Sequence, residues 1–480
     1  MGPVKIPVLV DSRIRIPIAL LPGVVSDSIR VGFCHTNPNY PDPRDASEPQ
    51  YYRTWRHEGE YLTLPRGGMQ RVRAALSAAG LSWEVADERT WEHPEPGFPD
   101  HLLTERPYQT RMREAAERKQ NCLLHGATGA GKTAVLYSLL SRLKRRSLVM
   151  VWTGGLLDQW RERAQREFDL TEREVGIIQG TREWIRPLTI CMQQTIAARF
   201  EHGDDSLVDQ FDVLACDEVQ RMAARTCQAA VDPFRARYRI GVSADSSRHD
   251  RLECLIHDLF GDVAEEITEE ETIAAGATVD VEVYAVPTNF RAPWYRYRQD
   301  FNKLLAQMTA DEERNELALR IARQEVEQGE QVLLFTHRVE HALALDSRLT
   351  EFGIRSGCML GGADNREAFR LAADGFRAGM HRAGVGTYQA IAQGIDLPTV
   401  SRGVCTTPMH NNRQQLSQVK GRICRGADGK EIGRLYVLVD QHVYGRKPVQ
   451  NFVKWFRTVR VFDGESWIDG KEWLRMQRAA

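Results

Sequence analysis

The segment Gly126-Ala127-Thr128-Gly129-Ala130-Gly131-Lys132-Thr133 constrains this chain more than any other. It follows the short apolar run Cys122–Leu124 and opens a helical stretch from Ala134 to Leu143, which is the strand–loop–helix setting a phosphate-binding loop requires. Glycines at these positions let backbone N–H groups converge on phosphate oxygens, and the start of the helix adds positive potential. Lys132 is placed to reach β- and γ-phosphates, and the Thr133 hydroxyl to ligate Mg²⁺.

Such a loop needs an acidic partner on a neighbouring strand. Phe211-Asp212-Val213-Leu214-Ala215-Cys216-Asp217-Glu218 ends an apolar run with two carboxylates. At the C-terminal end of a parallel strand they face the phosphates. Asp217 then holds Mg²⁺, and Glu218 orients and deprotonates the attacking water. Two acids alone could equally begin a loop; behind a phosphate loop the catalytic reading is favoured.

The surrounding pattern agrees with an α/β chain. Strand candidates Cys122–Leu124, Leu148–Trp152, Thr189–Met192, Val213–Cys216 and Ile240–Val242 recur at helix-length intervals, which implies a parallel sheet covered on both faces. A second series runs through Gln331–Phe335, Gly384–Gly386, Arg402–Thr406 and Leu435–Val439. Between the two series, residues 264–330 read as mostly helical and charged, with an amphipathic helix from Glu312 to Glu327. Residues 1–100 look different. Alternating segments near 5–18, 29–34 and 59–64 read as strands, one helix spans about 68–79, and Glu92-His93-Pro94-Glu95-Pro96-Gly97-Phe98-Pro99 reads as a linker.

At 480 residues the chain has room for about three domains of roughly 100–200 residues. With 42% hydrophobic and 27% charged residues, disordered and collagen-like classes are excluded. No apolar run approaches the roughly 18 residues that cross a bilayer. The alternation of Ile14, Ile16 and Ile18 with Arg13, Arg15 and Pro17 is unlike a signal peptide, and Ile6 stands where a myristoylation signal has Ser or Thr. Nine scattered cysteines without a C-x-x-C pair argue against a zinc ribbon or disulfide scaffold and favour a reducing cytoplasm. The 64 basic residues balance 65 acidic ones; ten are lysine, which leaves 54 arginines, a bias that suits phosphate forks but also high-GC coding.

Asp217-Glu218-Val219-Gln220 behind the phosphate loop resembles the Walker B box of superfamily 2 helicases, and further boxes of that family follow in order across residues 106–425. Arg106-Pro107-Tyr108-Gln109 resembles the adenine-reading box. Val149 to Trp160, with Thr153, is similar to the first nucleic-acid-contacting box, and Thr189 to Ile196, with Gln194 and Thr195, to the next. Arg239-Ile240-Gly241-Val242-Ser243-Ala244 resembles the box that links hydrolysis to nucleic-acid contact. In the second half, Leu333 to Arg338 resembles the fourth box. Val385-Gly386-Thr387-Tyr388-Gln389-Ala390 and Gly394-Ile395-Asp396-Leu397-Pro398 are similar to the fifth, and Gln418-Val419-Lys420-Gly421-Arg422-Ile423-Cys424-Arg425 to the sixth.

The resemblance implies two RecA-like parallel-sheet α/β domains in tandem, preceded by a small α+β domain. The expected boundaries are 1–100 for the small damage-recognition-like domain, 101–285 and 286–440 for the two RecA-like domains, and 441–480 for a C-terminal extension. It implies ATP and Mg²⁺ as cofactors. Lys132, Asp217, Glu218, Gln418, Arg422 and Arg425 are then catalytic, the two arginines as fingers reaching the γ-phosphate from across an inter-domain cleft. Arg106, Gln109, residues Gly126, Ala127, Thr128, Gly129, Ala130, Gly131, Lys132 and Thr133, and Gly394 and Asp396 hold the nucleotide, with Thr133 and Asp217 at the metal. Thr153, Gln194, Thr195, Arg338 and Thr387 contact nucleic acid. Gln220, Ser243, Ala244, Arg248 and Asp250 couple hydrolysis to movement.

Two positions depart from the family pattern: Gln220 stands where Asp or His is usual, and Asp245 where a hydroxyl is usual. Arg248-His249-Asp250 sits where helicases of the xeroderma-pigmentosum-B type carry Arg-Glu-Asp. Phe33 through Tyr40, Leu62 to Gly67 and Val85 to Arg89 resemble the small N-terminal domain of those proteins, a layout shared with phage branched-DNA helicases. The expected activity is ATP-dependent movement along, or unwinding of, branched or duplex DNA without base specificity, by a cytoplasmic, monomeric motor, with DNA favoured over RNA and no membrane partner. The alternatives are a duplex translocase or remodelling subunit that never separates strands, and a nucleic-acid-binding protein with a decayed motor. Trp294-Tyr295-Arg296-Tyr297-Arg298 and Trp455-Phe456-Arg457 suit base stacking, though packed aromatic helix faces are favoured.

Overall fold

The computed structural model describes every residue except 1–4, 41–48, 222–223, 245–250, 296–299, 363–364, 393–396, 410–412, 428 and 480. The chain divides into two units, Met1–Glu271 and Thr272–Ala480.

The first unit begins with a small lobe. Strands β1 (Ile6–Val10) and β2 (Arg13–Pro17) are followed by a short ribbon of β3 (Cys34–Thr36) and β4 (Tyr51–Arg53), then β5 (Arg56–Glu58), β6 (Tyr61–Pro65) and β7 (Trp83–Asp87). The sheet order is β5-β6-β2-β1-β7, antiparallel except for the β1–β7 pair. Ile6, Val8, Val10, Ile14, Ile16, Leu62 and Leu64 close on Val72 and Leu76 of the helix Met69–Ala78. The strand expected near 29–34 is not formed as such. A helix, Gly23–Val31, leads into β3 instead: Pro22, at φ −56°, launches it, and Val25 and Ile29, one turn apart, face the core.

The rest of the first unit is an eight-stranded sheet of β8 (Asn121–Gly126), β9 (Ser147–Val151), β10 (Val175–Gln179), β11 (Arg182–Trp184), β12 (Leu188–Met192), β13 (Val213–Cys216), β14 (Tyr238–Ser243) and β15 (Val263–Ile267). The order is β11-β10-β12-β9-β13-β14-β8-β15, all parallel but for the β10–β11 hairpin. Every residue of β9, β13 and β14 is buried, because helices cover both faces and no position can be polar toward solvent. The segment read as a linker is tied down: the Glu95 N–H donates to the Lys144 carbonyl, His93 sits beside buried Asp212, and Phe98 packs edge-on against Phe168.

The lobe is fixed to this sheet by buried charge. Asp258, on the helix Glu253–Phe260, takes His35 at 2.8 Å and pairs with Arg71 and the Thr54 hydroxyl, while Asp232 pairs with Arg13. Gly67 comes so close that a Cβ there would lie 2.2 Å from the His257 carbonyl oxygen.

The second unit holds β16 (Asp280–Pro287), β17 (Val332–Thr336), β18 (Ser356–Met359), β19 (Ala383–Thr387), β20 (Arg402–Cys405), β21 (Ile432–Val439), β22 (Val459–Phe462) and β23 (Trp467–Asp469). The order is β18-β19-β17-β20-β21-β16-β22-β23, parallel except for β23. The expected divide between 285 and 286 falls inside β16, which pairs with β21 from Asp280 against Ile432 to Pro287 against Val439. Residues set apart as an extension after 441 contribute β22 and β23 to the same sheet. The helix Glu312–Glu327 forms as expected, and its Arg314 forks onto Asp440 at 2.7 and 3.0 Å with both side chains 1% exposed. Among the described residues no helix is long and apolar enough to cross a membrane.

Candidate nucleotide and nucleic-acid site

The phosphate loop follows β8 and opens the helix Lys132–Leu143, as its spacing requires. Gly129 and Gly131 have φ of +91° and +76°, values that favour glycine. Lys132 Nζ lies 2.9 Å from the Gly126 carbonyl oxygen, within its own loop. Gln109 bridges: its amide oxygen accepts from the Arg106 N–H at 2.9 Å, and its Nε2 donates to the Ala130 carbonyl at 3.0 Å. It thus supports the loop it was expected to accompany, and Pro107 starts its helix, Pro107–Lys119.

Asp217 and Glu218 follow β13, and Ser243 ends β14, which lies between β13 and β8. Lys132, Asp217 and Ser243 therefore share the C-terminal edge of one sheet. Asp217 is 5% exposed; burial, then the neighbouring Glu218 charge, pushes its carboxyl up to about 6, while the Trp160 hydrogen bond and the Lys132 charge pull it back. Glu218 adopts φ +53°, a left-handed conformation that costs a non-glycine residue about 1 kcal/mol or more and clusters at functional sites. The Gln220 amide donates to the Glu218 carboxylate, so the residue that departs from the family pattern holds the adjacent acid.

This edge fits ATP with Mg²⁺. A Cβ at Gly131 would lie 2.4 Å from Gln109 Nε2, so the loop's close course depends on glycine there. Thr133 and Asp217 offer hard oxygen donors, and among the described residues no group of three or more His, Cys, Asp or Glu forms an all-protein metal cage. One hydroxyl and one carboxylate, with phosphate and water completing the shell, is how Mg²⁺ is held.

On the same edge, β9 and β12 are neighbours, with Val151 opposite Met192. Thr153 and Gln194 each lie two residues beyond those partners and so come side by side. The Thr153 hydroxyl caps the helix Gly154–Phe168 by accepting from the Leu156 N–H at 3.3 Å. Gln194 donates to the Trp152 carbonyl at 3.0 Å, and the Thr195 hydroxyl accepts from the Gly180 N–H at 3.0 Å.

In the second unit, β17 and β19 pair with Thr336 opposite Thr387. Arg338 starts the helix Val339–Glu351 and reaches the Asn302 carbonyl; Thr387 caps the next short helix through the Ala390 N–H. Gln418 and Arg422 lie one turn apart on the helix Arg413–Ile423, and Arg425 bridges Thr278 just after it. Ala244 ends the described part of its box. Arg248, Asp250, Gly394 and Asp396 lie outside the described residues, as do Arg296, Tyr297 and Arg298. Trp294 and Tyr295 pack with Phe290 and Met308, and Trp455 and Phe456 against the core of the second sheet, so these four described aromatic residues are packed.

One functional contact had no assigned role in the sequence: Trp160, inside the first nucleic-acid box, donates its indole N–H to Asp217 at 2.9 Å. Its spacing from Asp217 carries no signal, because the contact exists only once β9 and β13 are paired.

Comparison with known proteins follows the same division. Residues 102–248 match the family model "Type III restriction enzyme, res subunit", and residues 313–427 match "Helicase conserved C-terminal domain". A protein of Escherichia phage T5 described as "Probable helicase D10" is 24% identical over 361 residues, which cover 74% of this chain and 75% of that one. A Kineococcus radiotolerans protein described as "DNA 3'-5' helicase XPB" is 25% identical over 345 residues, 70% of this chain but only 60% of the relative's length. In fold alone, the chain is similar to S. cerevisiae Dbp5 bound to RNA and ADP BeF3, with a TM-score of 0.54 at 16% identity over 78% of this chain and 92% of that one. With two parallel-sheet α/β domains in tandem and both helicase models matched in order, the chain carries the paired helicase domains of superfamily 2 and is similar to the XPB-like and phage helicases among them.

Proposed function

We propose that this chain uses ATP with Mg²⁺ to move along, or unwind, branched or duplex DNA without reading its sequence, as a monomeric motor in the cytoplasm. The observation that carries the reading is the single sheet edge that holds Lys132, Asp217 and Glu218 beside Thr153 and Gln194. Lys132 and the loop N–H groups bind the phosphates, and Glu218 orients and deprotonates the attacking water. Thr133 and Asp217 would hold Mg²⁺, which when bound would supply positive charge to neutralise the phosphates. By resemblance Gln418, Arg422 and Arg425 are the catalytic groups of the sixth box, and the two guanidinium groups suit the charge that spreads over a transferring phosphoryl group. Thr153, Gln194, Thr195, Arg338 and Thr387 act on the backbone through hydroxyl, amide and guanidinium groups, which position a strand without selecting bases. The nine cysteines are all free thiols, in keeping with a reducing compartment.

The test is DNA-stimulated ATPase with a forked duplex, run for the wild-type chain and for Glu218→Gln. The variant is expected to bind ATP normally and lose turnover by at least about a hundredfold; retained wild-type hydrolysis refutes the assignment. Unwinding of the fork supports a helicase, while triplex displacement without unwinding assigns a translocase. DNA affinity is expected to fall steeply with salt.

A further inference from the structure

Trp160 is fixed from three sides. Its indole N–H donates to Asp217 Oδ2 at 2.9 Å, its backbone carbonyl accepts from the Tyr137 hydroxyl at 2.5 Å, and the Tyr137 ring packs against it at 4.6 Å. Tyr137 belongs to the helix opened by the phosphate loop, and Asp217 follows β13. Trp160 itself lies on the helix Gly154–Phe168, whose first turn is capped by Thr153. Both aromatic residues are fully buried, at 1% exposure or less. The Asp217 N–H donates to the Met150 carbonyl on β9, the strand that feeds the same helix.

One rigid helix therefore carries a proposed nucleic-acid contact at its start and the donor to a proposed metal-binding carboxylate two turns later. Seven residues of helix span about 10 Å, and a packed helix shifts as a unit rather than deforming along its length. A backbone phosphate that draws the Thr153 end must also move the indole N–H against Asp217. Phenylalanine would fill most, though not all, of the indole's space but offers no donor; the N–H is what ties the indole to the carboxylate, since a hydrogen bond to a charged group outweighs a neutral one.

We infer that Trp160 is a positioning residue: it orients the Asp217 carboxylate for Mg²⁺ and transmits DNA contact at Thr153 to that carboxylate. The inference rests on the nucleotide-site reading above and goes beyond it, because it names the link between DNA binding and the metal ligand.

The experiment measures binding of a fluorescent ADP analogue in Mg²⁺ and in EDTA, with and without a forked duplex, for wild type, Trp160→Phe and Tyr137→Phe. In Trp160→Phe the affinity gained from Mg²⁺ is expected to drop about tenfold, affinity in EDTA to stay within about twofold, and the effect of DNA on Mg²⁺-dependent affinity to disappear. Tyr137→Phe, which keeps the indole N–H but loosens its carbonyl anchor, is expected to shift the same quantity in the same direction by less. A Trp160→Phe protein that keeps the wild-type Mg²⁺ gain and DNA response overturns the inference. So does an equal loss in Mg²⁺ and EDTA, the mark of a merely structural role. Should Trp160→Phe fail to fold, Tyr137→Phe decides: an unchanged Mg²⁺ gain there overturns it too. Nucleotide binding by wild type that is indifferent to Lys132→Ala would instead sink the nucleotide-site reading itself.

Discussion

The Lys132 ammonium lies 2.9 Å from the carbonyl oxygen of Gly126, six residues earlier in the same loop. The loop thus holds its cation against its own backbone, where a phosphate can replace the carbonyl as partner. Lys132→Ala removes that charge from the only lysine in the loop. The expected result is a fall of at least about a hundredfold in ATPase kcat/KM, in line with deleting one charged stabiliser of a phosphoryl group. Steady-state ATPase with saturating DNA checks it, and near-normal turnover would contradict the loop's role.

Gly131→Ala tests the loop's shape rather than its charge. The residue sits at φ +76°, and an added Cβ would lie 2.4 Å from Gln109 Nε2. The left-handed backbone alone costs alanine about 1–2 kcal/mol, and the collision forces Gln109 off the Ala130 carbonyl. Nucleotide affinity and unfolding free energy should both drop. Adding Gln109→Ser relieves the collision but not the backbone strain, so only part of the stability returns. Full recovery in urea unfolding would show that φ is not limiting.

In the second unit, Arg314 and Asp440 form a buried pair that also takes the Thr288 hydroxyl and the Thr406 carbonyl. Arg314→Met leaves a carboxylate buried without its cation and is expected to cost about 3–5 kcal/mol, whereas Arg314→Met with Asp440→Leu recovers much of that loss. Urea unfolding of both variants decides: a double variant no more stable than the single contradicts the pairing argument.

What could be read from the chain beforehand depended on how local each signal is. β8, β9, β12 and β13 each contain a short apolar run, and the phosphate loop and Asp217-Glu218 are contiguous motifs. β16 was hidden because Asp280 and Glu282 interrupt it and resemble the charged helices around it, although its alternation with Val281 and Val283 marks a strand. The helix Gly23–Val31 was hidden for the converse reason: exposed Val24 and Val31 give its outer face the apolar look of a strand. The Trp160–Asp217 contact joins residues 57 apart and arises from parallel pairing of β9 with β13, which no local pattern encodes. The φ of Glu218 and its bond from Gln220 are likewise products of the folded turn.

The junction between the N-terminal lobe and the first large sheet should weaken in alkali. Contact with Asp258 and with the Cys254 thiol pushes His35 up from 6.5 to about 9, against the opposing effect of burial. Asp258 is itself held below the usual carboxylate range: burial acts to raise it, but His35, Arg71 and the Thr54 hydroxyl outweigh that. These are two views of one interaction and count once. Because the folded value of His35 lies above the unfolded one, its contribution is complete below pH 6.5 and is lost as pH rises through about 9. The difference corresponds to at most about 3 kcal/mol, and to less in practice because solvent screens the part-exposed imidazole and Arg71 still neutralises Asp258 after His35 loses its proton. Unfolding free energy followed from pH 6 to 10 should therefore decline for the wild-type chain, and His35→Gln should remove most of that decline while lowering stability at pH 6. Parallel pH profiles for the two proteins would show that the imidazolium does not hold the lobe in place.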